Sequence, residues 1–511
     1  MSYNGPKQGR PEESVVNRRL LRCSSVLILL AAAGCDRTDP SGPSAGDSSD
    51  RATARRPNII LITIESLRAD HVGAYGYARD TTPALDALAR EGILFERAYS
   101  VTSWTLTSHA TMFTGLYPTA HRVIRPHDRL ADSYETLAER LRATGYQTTA
   151  FVSGPFLRTE HNLDQGFDLY NDSGMRVTSA TSANGDVTNP WMEQLLVRFL
   201  DGQRNARKPF FLFAYLWDPH YDYIPPPPYD RMFVPPGAAP IDLLGYENRD
   251  VVKPGIRPAQ LEYVISQYDG EIRWTDDMLG RLWERLRALG LWDETAIIVT
   301  ADHGEAFFEH GAKGHKNNLY AEELHVPLVI KPAGRIAPRR DDRVANLVRL
   351  CSTVLELAGI EPRAPWIERS LLRPRRPVPP PTFFELETSL YIERPGAKDL
   401  ERRSEEWFAI REGDFELHAV RPKGRWELYN LGRDPGEHRP LGRSHAAFEP
   451  LRGKLEAHLT DMKRLSSQWD GVGPATLPRD HLERLRALGY VGDTQPPVTE
   501  SPGRAPRDGG R

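Results

Sequence analysis

Two acid-bearing turns stand directly behind apolar runs. The run Asn58-Ile59-Ile60-Leu61-Ile62-Thr63-Ile64 ends at Glu65-Ser66, and Thr295-Ala296-Ile297-Ile298-Val299-Thr300 ends, after Ala301, at Asp302-His303-Gly304-Glu305. Carboxylates beside an imidazole form a ligand set for a divalent cation. Asp302 and His303 are therefore candidate ligands. Glu65 alone would read as a surface acid after a strand, but with that pair present it reads as the third ligand. A further run, Pro209 to Leu216, ends at Trp217-Asp218-Pro219-His220, which places His220 at another strand end. The chemistry indicated is that of a metal-dependent enzyme.

The elements that must position these groups follow from the same runs. A continuous β-branched stretch reads as a strand buried on both faces, as in a parallel sheet. Polar residues just past the carboxyl ends of such strands are where α/β sheets build their sites. Between the runs lie helical patterns: one starting near Pro83, one over Tyr134–Ala143 and one over Glu262–Leu289. Gln147–Val152 and Val326–Lys331 read as further strands, and residues 224–258 as a loop-rich insertion. The expected fold class is α/β, a mostly parallel sheet sandwiched by helices. Past the Pro/Arg-rich break at Arg373–Pro381 the texture changes. Short runs at Trp407–Ile410, Phe415–Val420 and Trp426–Tyr429, with a late helix near Phe448–Lys463, predict a small C-terminal α+β subdomain with an antiparallel sheet.

A chain of 511 residues with a formal net charge of -3 lacks the basic surplus of a nucleic-acid binder. Arg18, Arg19 and Arg22 precede the apolar run Val26–Ala33 and then Gly34-Cys35. Basic residues, a short apolar core and small residues make a signal peptide. Its end resembles a bacterial lipobox, with Cys35 as the lipidated mature N-terminus. The expectation is a protein of the bacterial cell envelope, held at the membrane through Cys35 on the periplasmic or extracytoplasmic side. Residues 1–35 then form the signal, 36–56 a flexible tether, 57–372 the catalytic domain, 373–491 the subdomain and 492–511 a disordered tail. Only Cys23, Cys35 and Cys351 occur, so no disulfide framework is available, and Cys351 reads as a core residue.

Four segments resemble the sulfatase family of the alkaline-phosphatase superfamily: Glu65–Gly76, Thr114–Pro118, Thr300–Glu305 and Glu427–Leu431. The likeness runs in order from Pro57 to about Tyr490. It implies an alkaline-phosphatase-like fold and hydrolysis of sulfuric esters, with Glu65, Asp302 and His303 as ligands of one divalent cation. Glu65 stands where the family usually has Asp, and Ser66 where many members have a second Asp. His303 replaces the Asn of many calcium-holding members, which favours manganese or zinc while leaving calcium and magnesium open. The family's Cys-x-Pro-x-Arg, whose Cys becomes formylglycine, aligns with Thr105, Thr107 and His109. No formylglycine is expected. Thr105 instead resembles the unmodified nucleophile of phosphodiesterases, phosphonate hydrolases and phosphoethanolamine transferases of the superfamily; otherwise it merely caps the helix that follows it.

The resemblance further implies that His220 and Lys316 bind the ester anion or protonate the leaving oxygen, and that His109 and His315 line the substrate. Asp218 and His310 are the remaining candidates for a second cation. Phe151–Leu157 replaces the family's Gly-Lys-Trp-His-Leu-Gly, so the pocket differs from that of a standard arylsulfatase. Three functions compete. The first is a sulfuric ester hydrolase; the second is a phosphodiester or phosphonate hydrolase or phospho-group transferase; the third is a non-catalytic binder. The expected partner is an anionic ester, a sulfated or phosphorylated glycan, lipid or small molecule.

Overall fold

Apolar runs long enough to cross a sheet, and buried on both sides, set the architecture. In the computed structural model, strands β1 (Asn58–Ile64), β5 (Phe210–Leu216) and β6 (Thr295–Ala301) are buried along their whole length. The structure describes residues 56–173, 188–220, 222–244, 246, 252–362, 368–374, 376–377, 379–392 and 401–487. Cys35, expected to carry lipid, the expected tether before Arg56 and the expected tail after 491 lie outside them. Among the described residues no helix is long and apolar enough to cross a membrane.

The main sheet has eight strands in the order β10-β2-β9-β6-β1-β5-β3-β4, adding β2 (Ile93–Tyr99), β3 (Gln147–Val152), β4 (Leu169–Asn171), β9 (Leu328–Lys331) and β10 (Arg339–Asn346). Every pairing is parallel except those of β9, which runs against both β2 and β6. Ile64 on β1 is level with Leu216 on β5 and with Ala301 on β6. The chain therefore leaves all three central strands at the same height, delivering Glu65, Trp217 and Asp302 to one edge.

Helices pack on the sheet, including the long Pro258–Ala288 and the fully buried Thr105–Thr114. The helix expected from Tyr134 starts only at Leu137, because Thr136 and Glu139 form a capping box that fixes its first turn. The minute strands β7 (Ala306–Phe307) and β8 (Lys313–Gly314) form a separate hairpin beside the site.

The second sheet is antiparallel: β11 (Thr382–Ile392), β12 (Glu401–Glu412), β13 (Phe415–Arg421) and β14 (Arg425–Asn430), in that order. Helix Phe448–Ser466 covers it through Phe448, Leu451 and Leu455 against Ile410, Leu417 and Leu428. Phe384, Trp407 and Tyr429 join the main core, so the two sheets share one body. Cys351 is buried in helix Leu350–Leu357 as a free thiol.

Candidate active site

Glu65 follows β1 directly, and its backbone N–H donates to Leu216 O at 2.9 Å. Ser66, with φ of 54°, turns the chain sharply and donates its N–H to Asp302 Oδ1 at 3.2 Å. The turns after β1 and β6 are thus locked to each other. Gly304 is required by close approach rather than by a left-handed backbone: a Cβ there would lie 2.2 Å from Glu322 O. Its N–H donates to Glu323 O at 2.8 Å. That contact packs the Asp302–Glu305 turn onto helix Ala321–Leu324.

Glu65, Asp302 and His303 converge with no solvent exposure, their candidate ligand atoms within 4.8 Å of one another. His303 Nδ1 donates to Gly304 O at 2.9 Å, which turns Nε2 inward, 3.2 Å from Glu65 Oε1 and 3.5 Å from Asp302 Oδ2. Asp302 Oδ2 is buried and has no hydrogen-bond partner. A buried carboxylate oxygen without a donor is costly unless a cation faces it. Burial alone would lower the His303 pKa, but Asp302 and Glu65 outweigh it and push it up to about 10. Burial and the Glu65 charge raise the Asp302 carboxyl, while His303 holds Glu65 low against its own burial. The cluster demands positive charge, and its donor set fits a divalent cation.

Thr105 opens helix Thr105–Thr114 and does not cap it; the cap position is Trp104 and carries no side-chain bond. The Thr105 side chain instead faces the cluster, with Oγ1 3.3 Å from both Glu65 carboxylate oxygens and 3.1 Å from His303 Nε2. The first backbone N–H groups of a ten-residue helix point toward the same place, where an anion is stabilised.

His220 and His315 stand on the outer side of this cluster. Their rings meet edge-on at 5.2 Å, and each offers a nitrogen converging on Glu65. Overall exposure is 4 % for His220 and 8 % for His315, but the His315 side chain itself is only 1 % exposed. His220 stacks on Trp217 at 3.8 Å. His315 Nδ1 lies 3.3 Å from Glu305, whose carboxyl burial pushes up to about 8. Lys316 donates its backbone N–H to Ser103 O and lays Nζ 3.8 Å over the Trp104 ring, next to the residue that precedes Thr105.

Three sequence expectations are corrected. His109 does not replace an anion-binding Arg. Fully buried, it donates from Nδ1 to Thr105 O at 2.8 Å and accepts from Thr63 Oγ1 at Nε2, 2.9 Å away. Burial lowers its pKa to about 4, so it is a neutral brace behind Thr105. Asp218 is no cation ligand: Oδ2 accepts from Thr188 Oγ1 and Asn189 N, anchoring the start of helix Asn189–Arg198. His310 points away, held between Glu322 Oε1 and Glu437 O and stacked on Tyr320.

Two site residues escaped the sequence reading. Tyr215, next to the last residue of β5, donates its hydroxyl to Glu65 Oε2. A polar tip near the end of an otherwise apolar strand was its only signal. Glu305 completes the Asp302-His303-Gly304-Glu305 turn and was visible there as a second acid.

A family model for sulfatases, described as "Sulfatase", matches residues 57–360, well over half of the chain. The chain belongs to the sulfatase family. Among its relatives, the multifunctional alkaline phosphatase superfamily protein PehA of Trinickia caryophylli is 26% identical over 389 residues, 60% of this chain and 75% of that protein. An arylsulfatase of Clostridium perfringens is 27% identical over 367 residues, with the same shares. The fold is similar to that of the phosphonate monoester hydrolase SpPMH from Silicibacter pomeroyi, with a TM-score of 0.64 at 20% identity, covering 80% of this chain and 96% of that one. This sulfatase-family member is a hydrolase acting on sulfuric or phosphoric esters.

Proposed function

We propose that this hydrolase cleaves its anionic ester through the unmodified hydroxyl of Thr105. The observation that carries the reading is the aim of that hydroxyl: Oγ1 sits 3.1 Å from His303 Nε2 and 3.3 Å from both Glu65 oxygens, at the start of a helix. Glu65, Asp302 and His303 would hold one divalent cation, with the imidazole favouring manganese or zinc over calcium or magnesium. When bound, such an ion supplies the charge that lowers the pKa of a neighbouring hydroxyl and offsets that of the ester oxygens.

The remaining steps belong to the chain. Thr105 gives its proton to solvent water, since the Glu65 carboxyl is held low and reserved for the cation, and Oγ1 bonds to the sulfur or phosphorus. The ester oxygen leaves and takes a proton from His220 or Lys316. Water then attacks the same sulfur or phosphorus, gives a proton to the group that lost one, and breaks the bond to Oγ1, which recovers a proton from solvent. His315, with the helix N-terminus, orients the anion as charge builds up. His109 keeps the Thr105 backbone in place.

A second reading, a phosphodiester or phosphonate ester as substrate, is favoured by Thr105 itself, a hydroxyl standing where an oxidisable Cys would be. The likeness in fold to the phosphonate monoester hydrolase SpPMH is in keeping with it. Anchorage through Cys35 would present the site to sulfated or phosphorylated glycans, lipids or small molecules outside the cytoplasm. The test is a panel of aryl sulfate, aryl phosphate diester and aryl phosphonate monoester, assayed with each of the four metals for wild type and Thr105→Ala. Turnover of at least one class, lost in the variant, is expected. Equal rates for the two proteins on every class would defeat the reading.

A further inference from the structure

Far along the chain from Thr105, on the second sheet, lies another convergence of ligand atoms. Glu416 and His418 are two residues apart on β13 and so share a face. Glu437, in the turn after β14, closes on them from the side, its backbone held at φ of 54°. His418 Nε2 lies 3.2 Å from Glu416 Oε1 and 3.2 Å from Glu437 Oε1. All three side chains are at most 1 % exposed.

We infer that Glu416, His418 and Glu437 hold a second divalent cation, zinc or manganese, whose role is structural. Four observations carry this. First, Glu416 Oε1, Glu437 Oε1 and both nitrogens of His418 are buried without a hydrogen-bond partner. His418 Nε2 sits equally far from both oxygens and is aimed squarely at neither. Second, the opposite oxygens are fixed from behind. Glu416 Oε2 accepts from the Arg411 guanidinium, and Glu437 Oε2 accepts from Ala321 N at 2.9 Å. Such outer bonds orient carboxylate ligands and leave the inner oxygens free. Third, the His418 ring is clamped by Tyr320, stacked at 5.1 Å, and by the edge of Tyr429 at 5.7 Å. The donors therefore cannot swing away to find other partners. Fourth, an imidazole with two carboxylates suits zinc or manganese.

The ion would tie the turn after β14 to β13 and, through Glu437 and Ala321, to helix Ala321–Leu324. The segment between Lys316 and Tyr320 runs directly into that helix. The competing occupant is a proton: with His418 charged, Arg411 and the two glutamates would balance without metal. This inference stands apart from the chemistry at Thr105.

The test is metal analysis of the dialysed full-length protein, with diffraction recorded on both sides of the zinc absorption edge from crystals grown with zinc. Two metal equivalents per chain are expected, with one anomalous peak among Glu65, Asp302 and His303 and another among Glu416, His418 and Glu437. His418→Gln should remove one equivalent and the second peak. In Asp302→Ala, a chelator should still lower the melting temperature by several degrees. A wild-type map with no anomalous peak beside His418 would overturn the inference and assign the cluster to a protonated histidine; this result does not require that any variant folds.

Discussion

The two acid–imidazole clusters of this protein use the same donors in opposite surroundings. At the edge of the parallel sheet, Glu65, Asp302 and His303 face a hydroxyl, a helix N-terminus and two more histidines. On the antiparallel sheet, Glu416, His418 and Glu437 face aromatic rings and the Arg411 guanidinium, with no exposed side. Catalytic metal sites keep one side open for the reacting group, whereas structural sites are closed. The contrast locates chemistry not in the ligands but in what stands next to them. On the proposed mechanism, Thr105 is the residue that makes the first cluster reactive.

The sharpest way to break that comparison is to delete the hydroxyl. Thr105→Ala should lower kcat by at least about 10⁴-fold, as loss of a nucleophile does, while the melting temperature stays within a few degrees. Thr105→Ser should recover part of the rate. An Ala variant with near-normal kcat would make the two clusters equivalent.

Tyr215→Phe removes the phenol that orients Glu65. Outer-shell changes cost about 10–100-fold in metal affinity or activity, and we expect that loss in cation affinity, read by titration of the apoprotein. An unchanged affinity would show that the Ser66 hydroxyl, which donates to Glu65 Oε1 at 2.9 Å, suffices to position Glu65.

Cation binding also displaces the proton from His303. Without the ion, a histidine pKa raised to about 10 contributes stability that is complete below its unfolded value near 6.5 and is lost as pH rises through about 10. Apoprotein stability should therefore fall across that window and holoprotein stability should not. Addition of metal at pH 7 to His418→Gln, which leaves only the first cluster to fill, should release the His303 proton, measurable in weakly buffered solution. No release would mean that His303 was already neutral.

The smallest effect is expected at His109. Its replacement by Ala leaves Thr63 and the Thr105 carbonyl unpaired, which costs about 1–3 kcal/mol for a buried polar group, read by urea unfolding. KM should change little. A large rise in KM would restore His109 as a substrate contact.

Much of this was legible in the residue order. The runs ending at Glu65, Trp217 and Asp302 announced both the parallel sheet and the level at which the site forms, because doubly buried strands leave an unbroken apolar signature. Strand β10 was not legible. Its sequence, Arg-Arg-Asp-Asp-Arg-Val-Ala-Asn, is tolerated because it lies at the sheet edge, where charge is permitted and even protective. Asp218 and His109 were misread for a related reason. Their types suit a site, but their side chains are spent on a helix start and on a backbone carbonyl, partners that only the folded chain reveals. Tyr215 and Glu437 were missed because their partners lie 150 and 116 residues away in sequence.

The central claim, that the Thr105 oxygen becomes covalently bonded to the transferred group, is tested most directly by mass spectrometry of the Thr105 peptide from metal-loaded enzyme quenched in acid during turnover. A mass addition equal to that group, located on Thr105, is expected. A peptide that stays unmodified at saturating substrate, or an addition located on another residue, would contradict it.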